Sequence, residues 1–145
     1  MQFENSINYL ISDLSTVHRA ELEASLTEVG LHSGQVFILF ELWEQDGLNQ
    51  TDLAKNLNLA APTINKMVKV LSRSGFVVFK RSDTDGRVVN VFLTDKGKHI
   101  KPMVQDIWRN LELKITTPLT ETEKLMLVQL LEKILYYFYN EAGNE

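Results

Sequence analysis

The sequence predicts a mainly α-helical chain with one small β-wing, and three observations carry that expectation. Through most of the chain, apolar residues recur at three- and four-residue steps, the helical period. Two runs, Phe76 to Arg81 and Val88 to Leu93, instead read as strands joined by a loop rich in Asp, Ser and Gly. Long helical patterns lie on both sides of that hairpin unit.

The elements follow in order. From Phe3 to Val29 the positions Phe3, Ile7, Leu10, Ile11, Leu14, Val17, Leu22 and Leu26 predict one long amphipathic helix, stopped by Gly30. Ser33 is expected to cap a second helix through about Gln45, closed by Asp46-Gly47. Asn49 with Asp52 three residues later reads as a capping-box-like start. The short helix that follows buries Leu53, Ala54 and Leu57, and Asn58 suits a left-handed turn after it. Pro62 fits the first turn of a fourth helix that ends at Gly75. Thr94 is expected to cap a long helix from Asp95 to about Thr116, and Thr120 the last one, to about Tyr139. The middle is therefore a helix-turn-helix followed by a two-stranded wing.

Composition narrows the class. The chain has 145 residues, 44% apolar and 23% charged, which suits a globular domain with an oligomerisation arm. No apolar run approaches the roughly 20 residues of a membrane span, and MQFENSINYL lacks the features of a secretory signal. A cytoplasmic protein with no membrane partner is expected. The absence of cysteine excludes disulfides, thiolate zinc sites and thiol redox sensing.

The net charge of -4 conceals a segregation. Between Asn49 and Lys101 ten Lys or Arg face four acids, whereas the rest of the chain has five basic and fifteen acidic residues. A basic working surface on an acidic frame points to an anionic partner.

The fourth helix carries the matching chemistry. At 100° per residue Ile64, Met67, Val68 and Leu71 share a core face, while Pro62, Asn65, Lys66, Lys69 and Arg73 lie opposite, with Thr63 near the N-terminus. Lys and Arg can bond guanine or phosphate, and Asn can pair with adenine, so this face suits a major groove. Gln50 and Thr51 open the preceding helix, where free amides and a hydroxyl suit a phosphate. Arg73, Lys80 and Arg81 are further phosphate candidates. Arg87 at the wing tip is suited to a narrow minor groove. Asp85 is expected to orient Arg87 by a salt bridge, and Gly86 to let the tip turn tightly.

These residues resemble a known family. TDLAKNLNL, PTINKMVKVLSRSGFV and DGRVVNVFLTDKG, within Leu31 to Gly97, are similar to the winged helix-turn-helix of MarR-type transcriptional regulators. The resemblance implies a homodimer, a pseudo-palindromic double-stranded DNA operator, and repression relieved by a small ligand. It implies that Pro62, Thr63, Asn65, Lys66 and Lys69 read the major groove and that Arg87 enters the minor groove. Two positions depart from the family: Ala60 and Ala61 stand where a Ser or Thr cap is frequent, and Phe79 stands where a basic residue is common.

The last helix argues for a dimer by itself. In LMLVQLLEKILYYFY, Leu125 to Tyr139, apolar side chains cover far more than one face. Two such terminal helices overtax a chain this small, and a second copy related by two-fold symmetry resolves the excess. Residues 1–30 and 100–145 are thus expected as dimerisation helices around a DNA-binding domain at 31–99. The junction between arms and head is where MarR-type proteins often hold effectors. His18, Phe37, Phe40 and Trp108 are candidate liners for a small aromatic or phenolic ligand, with plain core packing as the alternative.

Other chemistry finds no support. Placing Gly86 at the sixth position of a calcium loop leaves Arg81 and Phe92 at the two end-ligand positions. His18, His32 and His99 lack metal spacing, and no catalytic motif is present, so neither cofactor nor enzyme activity is expected. The alternative reading is a winged protein-interaction module without DNA binding.

Overall fold

Helix ends in the central unit are set by local chemistry that the sequence spells out. The computed structural model describes residues 3–140. Its helices are α1 (Ile7–Thr27), α2 (Ser33–Glu44), α3 (Gln50–Leu57), α4 (Ala61–Arg73), α5 (Asp95–His99), α6 (Lys101–Thr116) and α7 (Glu121–Asn140). The strands are β1 (Val77–Arg81) and β2 (Val89–Leu93). The expected mainly α fold with a two-stranded wing is observed. The chain divides into two compact units between Trp108 and Arg109, within α6.

In the first unit, Asn49 caps α3 by accepting the Asp52 amide at 2.8 Å, and Asn58 adopts the left-handed conformation that breaks the helix. The first turn of α4 includes Pro62, and Ala60 at its N-cap gives no side-chain bond. Gly75, at φ 80°, ends α4: Phe76 donates its amide to the Leu71 carbonyl, and Phe76 is fully buried. The buried faces of α2, α3 and α4 meet through Val36, Leu39, Leu53, Ile64, Val68 and Leu71. Met67, expected in that core, is only half-buried.

The wing pairs Val77 with Leu93, Phe79 with Val91 and Arg81 with Val89 in antiparallel register. A third segment borders it. Val91 donates to the Leu48 carbonyl, Leu93 donates to the Asp46 carboxylate, and Asn49 bridges to Asn90. The turn before α3 is thereby tied to β2, which brings the α3 N-terminus beside the wing.

Below the wing four segments converge on Gly97. The Thr94 hydroxyl donates toward the carbonyls of Gly75 and Phe76 and accepts the Gly97 amide. The Trp43 indole donates to the Gly97 carbonyl at 2.9 Å. Lys96 reaches the Ser74 carbonyl at the C-terminal end of α4 and lies over the Phe76 ring. A Cβ on Gly97 would overlap the Phe76 carbonyl oxygen, so only glycine permits this approach.

Three expectations are corrected. The first helix begins at Ile7, after a turn of 3-10 helix at Phe3–Asn5, because the Ser6 hydroxyl accepts the Tyr9 amide and caps it. Ser33 does not cap α2; His32 occupies the N-cap position, and Glu23 of α1 accepts the Ser33 amide at 2.7 Å. The single long helix from Asp95 is two helices, separated at Ile100. Pro102 explains the break: it has no amide to donate to the Lys98 carbonyl.

In the second unit, Thr120 and Glu123 cap α7 reciprocally: Thr120 donates its amide to the carboxylate, and the Glu123 amide donates back to the hydroxyl. Among the described residues no helix is long and apolar enough to cross a membrane.

The two head glycines separate by test. Gly97→Ala is expected to lower unfolding free energy by about 3 kcal/mol, as a forced overpacking does. Gly86→Ala, with nothing within 4 Å of its added Cβ, is expected to stay within about 0.5 kcal/mol of wild type. Chemical denaturation of both variants checks this, and equal losses would contradict it.

Candidate nucleic-acid interface

The wing tip is a four-residue turn, Asp85-Gly86-Arg87-Val88, closed by the Val88 amide donating to the Asp85 carbonyl at 2.9 Å. The Asp85 carboxylate accepts the backbone amide of Arg87 at 3.0 Å. Aspartate at the first position of such a turn acts in this way. The expected Asp85–Arg87 salt bridge is therefore corrected: Asp85 fixes the Arg87 backbone. Arg87 itself is exposed.

Arg87 does not stand alone. Asn49, Gln50 and Thr51 at the start of α3, Asn65 and Lys69 on α4, and Phe79, Arg87, Val88 and Val89 on the wing line one open notch of about 500 Å³. Five sequence-predicted residues, Gln50, Thr51, Asn65, Lys69 and Arg87, thus meet at one place. Two basic side chains and the N-terminal amides of α3 give it positive character. Asn65 is half-buried, and its Oδ1 is buried without a donor among the described residues.

The other candidates divide. Pro62, Thr63, Lys66 and Arg73 are exposed on α4. Lys66 and Arg73 share the outer face with Lys69. Lys80 lies over the Phe92 ring at 5.2 Å, and strand alternation turns it to the wing face opposite Phe79. Arg81 is exposed at the outer end of the hairpin. Phe79, Val88 and Val89 are notch residues that residue-type reasoning missed, since apolar side chains carry no anion-binding signal.

Behind the head lies a second cavity of about 460 Å³, lined by Ser15, His18, Arg19, Leu22, Ser33, Gly34, Phe37 and Met67. His18 and Phe37, two of the four candidate liners, are among these residues. Phe40 and Trp108 do not line it; Trp108 packs edge-on against His18, Phe37 and Phe40, with its ring 5.0 Å from that of Phe40. Phe40 and Trp108 thus pack edge-on against each other and each against Phe37. Arg19 and Met67 are liners that the sequence pattern does not single out.

With this geometry in view, residues 31–89 match the family model described as the MarR family. Its winged head is of the MarR type. The transcriptional regulator TtmR of Methylorubrum extorquens is 39% identical over 46% of this chain, which spans only 34% of that protein. The transcriptional repressor Rv2887 of Mycobacterium tuberculosis is 24% identical over 88% of this chain and 92% of its own length. The S. aureus MepR–DNA complex is a structural neighbour at TM-score 0.83 and 26% identity, with 90% and 96% of the two chains covered. The MarR-type head accounts for the order α3, α4, wing, and the matched region contains every residue of the notch.

The lock between α1 and the MarR-type head has a pH signature. Glu23 contacts the His32 imidazole and accepts the Ser33 amide, and these bonds hold its carboxyl down at about 2 from an ordinary 4.5. A depressed carboxylate contributes stability above its unfolded value and loses it as pH falls toward the folded one. Wild type is therefore expected to lose more stability than Glu23→Gln between about pH 4.5 and pH 2. Urea melts across that range check it; parallel curves would contradict it.

Proposed function

We propose that this chain is a DNA-binding transcriptional regulator without enzyme activity, acting as a homodimer and as a repressor released by a small aromatic or phenolic ligand. One observation carries the reading: the notch gathers the start of α3, the outer face of α4 and the wing-tip arginine. Pro62, Thr63, Asn65, Lys66 and Lys69 read base edges in the major groove, with Asn65 offering its carboxamide from a half-buried seat. Gln50, Thr51, Arg73 and Arg81 hold phosphates, and Asp85 with Gly86 presents Arg87 to the adjacent minor groove. The MarR-type family model and relatives named as regulators support the same reading.

The homodimer rests on uncovered apolar surface. On α1 the side chains of Ile7, Leu10, Ile11, Leu14 and Val17 are exposed. On α7 none of the twenty residues is buried, with Leu131, Leu135 and Phe138 among those open to solvent. A monomer rarely leaves patches of this size uncovered, and a second copy would cover both. The two heads would then meet half-sites about one helical turn apart on a pseudo-palindromic operator.

The effector reading uses the rear cavity. Arg19 and His18 offer polar partners, Phe37 an aromatic wall, and Met67 belongs to α4 itself. A ligand seated there would press on the recognition helix from behind and bias its position.

Two measurements test the reading. Operators selected from random duplexes are expected to bind Arg87→Ala at least about tenfold more weakly, with a salt slope shallower by about 0.9 for each phosphate that the arginine no longer neutralises. Lys66→Ala is expected to alter sequence preference; a uniform loss across sequences would confine Lys66 to phosphate. In sedimentation equilibrium the wild type is expected as a dimer and Leu131→Asp as a monomer; a monomeric wild type would contradict the dimer.

A further inference from the structure

The wing has an apolar outer end that the fold does not use. Strand alternation puts Val77 and Phe79 on one face, and the register places Leu93, Val91 and Val89 opposite Val77, Phe79 and Arg81. At the inner end of this face Val77, Val91 and Leu93 are buried. At the outer end Phe79 and Val89 are each 38% exposed, and both line the notch. The hydrophobic face therefore runs past the edge of the core and looks onto Lys69, Asn65 and the start of α3.

An apolar patch framed by cations and helix amides is suited to a partner that alternates apolar and anionic groups at short range. The nucleic-acid backbone has that pattern, since each phosphate is separated from the next by a deoxyribose whose C–H groups are apolar. When one element lies in the major groove and its neighbour in the adjacent minor groove, the strand between those grooves passes between the two elements. Here α4 is the first element, Arg87 the second, and the notch lies between them.

We infer that Phe79 and Val89 form an apolar seat for a deoxyribose of that intervening strand, beside phosphates held at Gln50 and Thr51 and between the groove-reading side chains of Lys69 and Arg87. The inference rests on the DNA-binding reading above. A sugar contact has no sequence information, so the seat fixes register and orientation. It also differs from a basic residue at position 79 in one measurable respect: it releases no counterion.

The test uses the full chain and a labelled random-sequence duplex, titrated across a salt series. Phe79→Ala is expected to bind about tenfold more weakly at every salt concentration, because the exposed part of one phenylalanine ring no longer covers the sugar. Its slope of log affinity against log salt is expected to match wild type. Phe79→Lys is expected to steepen that slope by about 0.9 for each head bound to the duplex. Val89→Ser repeats the first test where Phe79→Ala fails to fold, as judged by circular dichroism. Wild-type binding with Phe79→Ala and Val89→Ser unchanged overturns the inference alone. A flattened slope in Phe79→Ala also overturns it, because Phe79 would then act by placing Arg87 or Lys69. A greater loss on single-stranded DNA than on duplex overturns it in favour of base stacking. A wild type that binds no duplex at low salt removes the DNA reading and this inference with it.

Discussion

The architecture of the head depends on one close approach, that of Gly97 to the carbonyl of Phe76. At this point the exit of α4, the inner end of the wing, the start of α5 and the Trp43 indole from α2 share hydrogen bonds. The Thr94 hydroxyl is the hub: it donates toward two carbonyls and accepts an amide, so nearly all its bonding capacity is used. Removing the approach would free the wing to pivot on α4, and the notch would lose its fixed width. The proposed reading of two grooves at once needs that width set before binding, since ordering it afterwards costs affinity.

The charge distribution serves the same end. Acids are concentrated outside the head, and the two within the wing loop are Asp83 and Asp85. Asp85 is engaged with the Arg87 backbone. An acid beside an arginine proposed to contact DNA looks self-defeating in sequence, but here it shapes the turn that presents the arginine. Lys96 has the opposite use: its ammonium lies between the Ser74 carbonyl and the Phe76 ring, so it stabilises the junction.

Much of the head was legible because its signals are local. Asn49, Asn58 and Gly75 each act within a few residues of their own position, as does Thr94 in capping α5, and each does what its side chain, or lack of one, predicts. What stayed hidden depends on distance. The cap of α2 comes from Glu23, ten residues before the amide it accepts, and the third segment along the wing comes from the Asp46–Asn49 turn. Neither has a periodicity to betray it. The break at Ile100 was legible in Pro102, whose missing amide outweighs the helical pattern on both sides. For the site, polar residue types marked Gln50, Asn65, Lys69 and Arg87, whereas the apolar part of the notch emerged only once strand register placed Phe79 and Val89 on its wall.

Through the Gly97 junction, α4 and the wing form one cooperative unit. Native-state hydrogen exchange followed by NMR tests it most directly, at the Thr94 amide, the Gly97 amide and the Trp43 indole N–H. If the junction is the keystone, these three protons exchange with one opening free energy, equal to that of global unfolding, and with the same denaturant dependence. Exchange of the Thr94 and Gly97 amides through a smaller, denaturant-insensitive opening, while the α4 core stays protected, would show a wing that moves independently and would contradict the account.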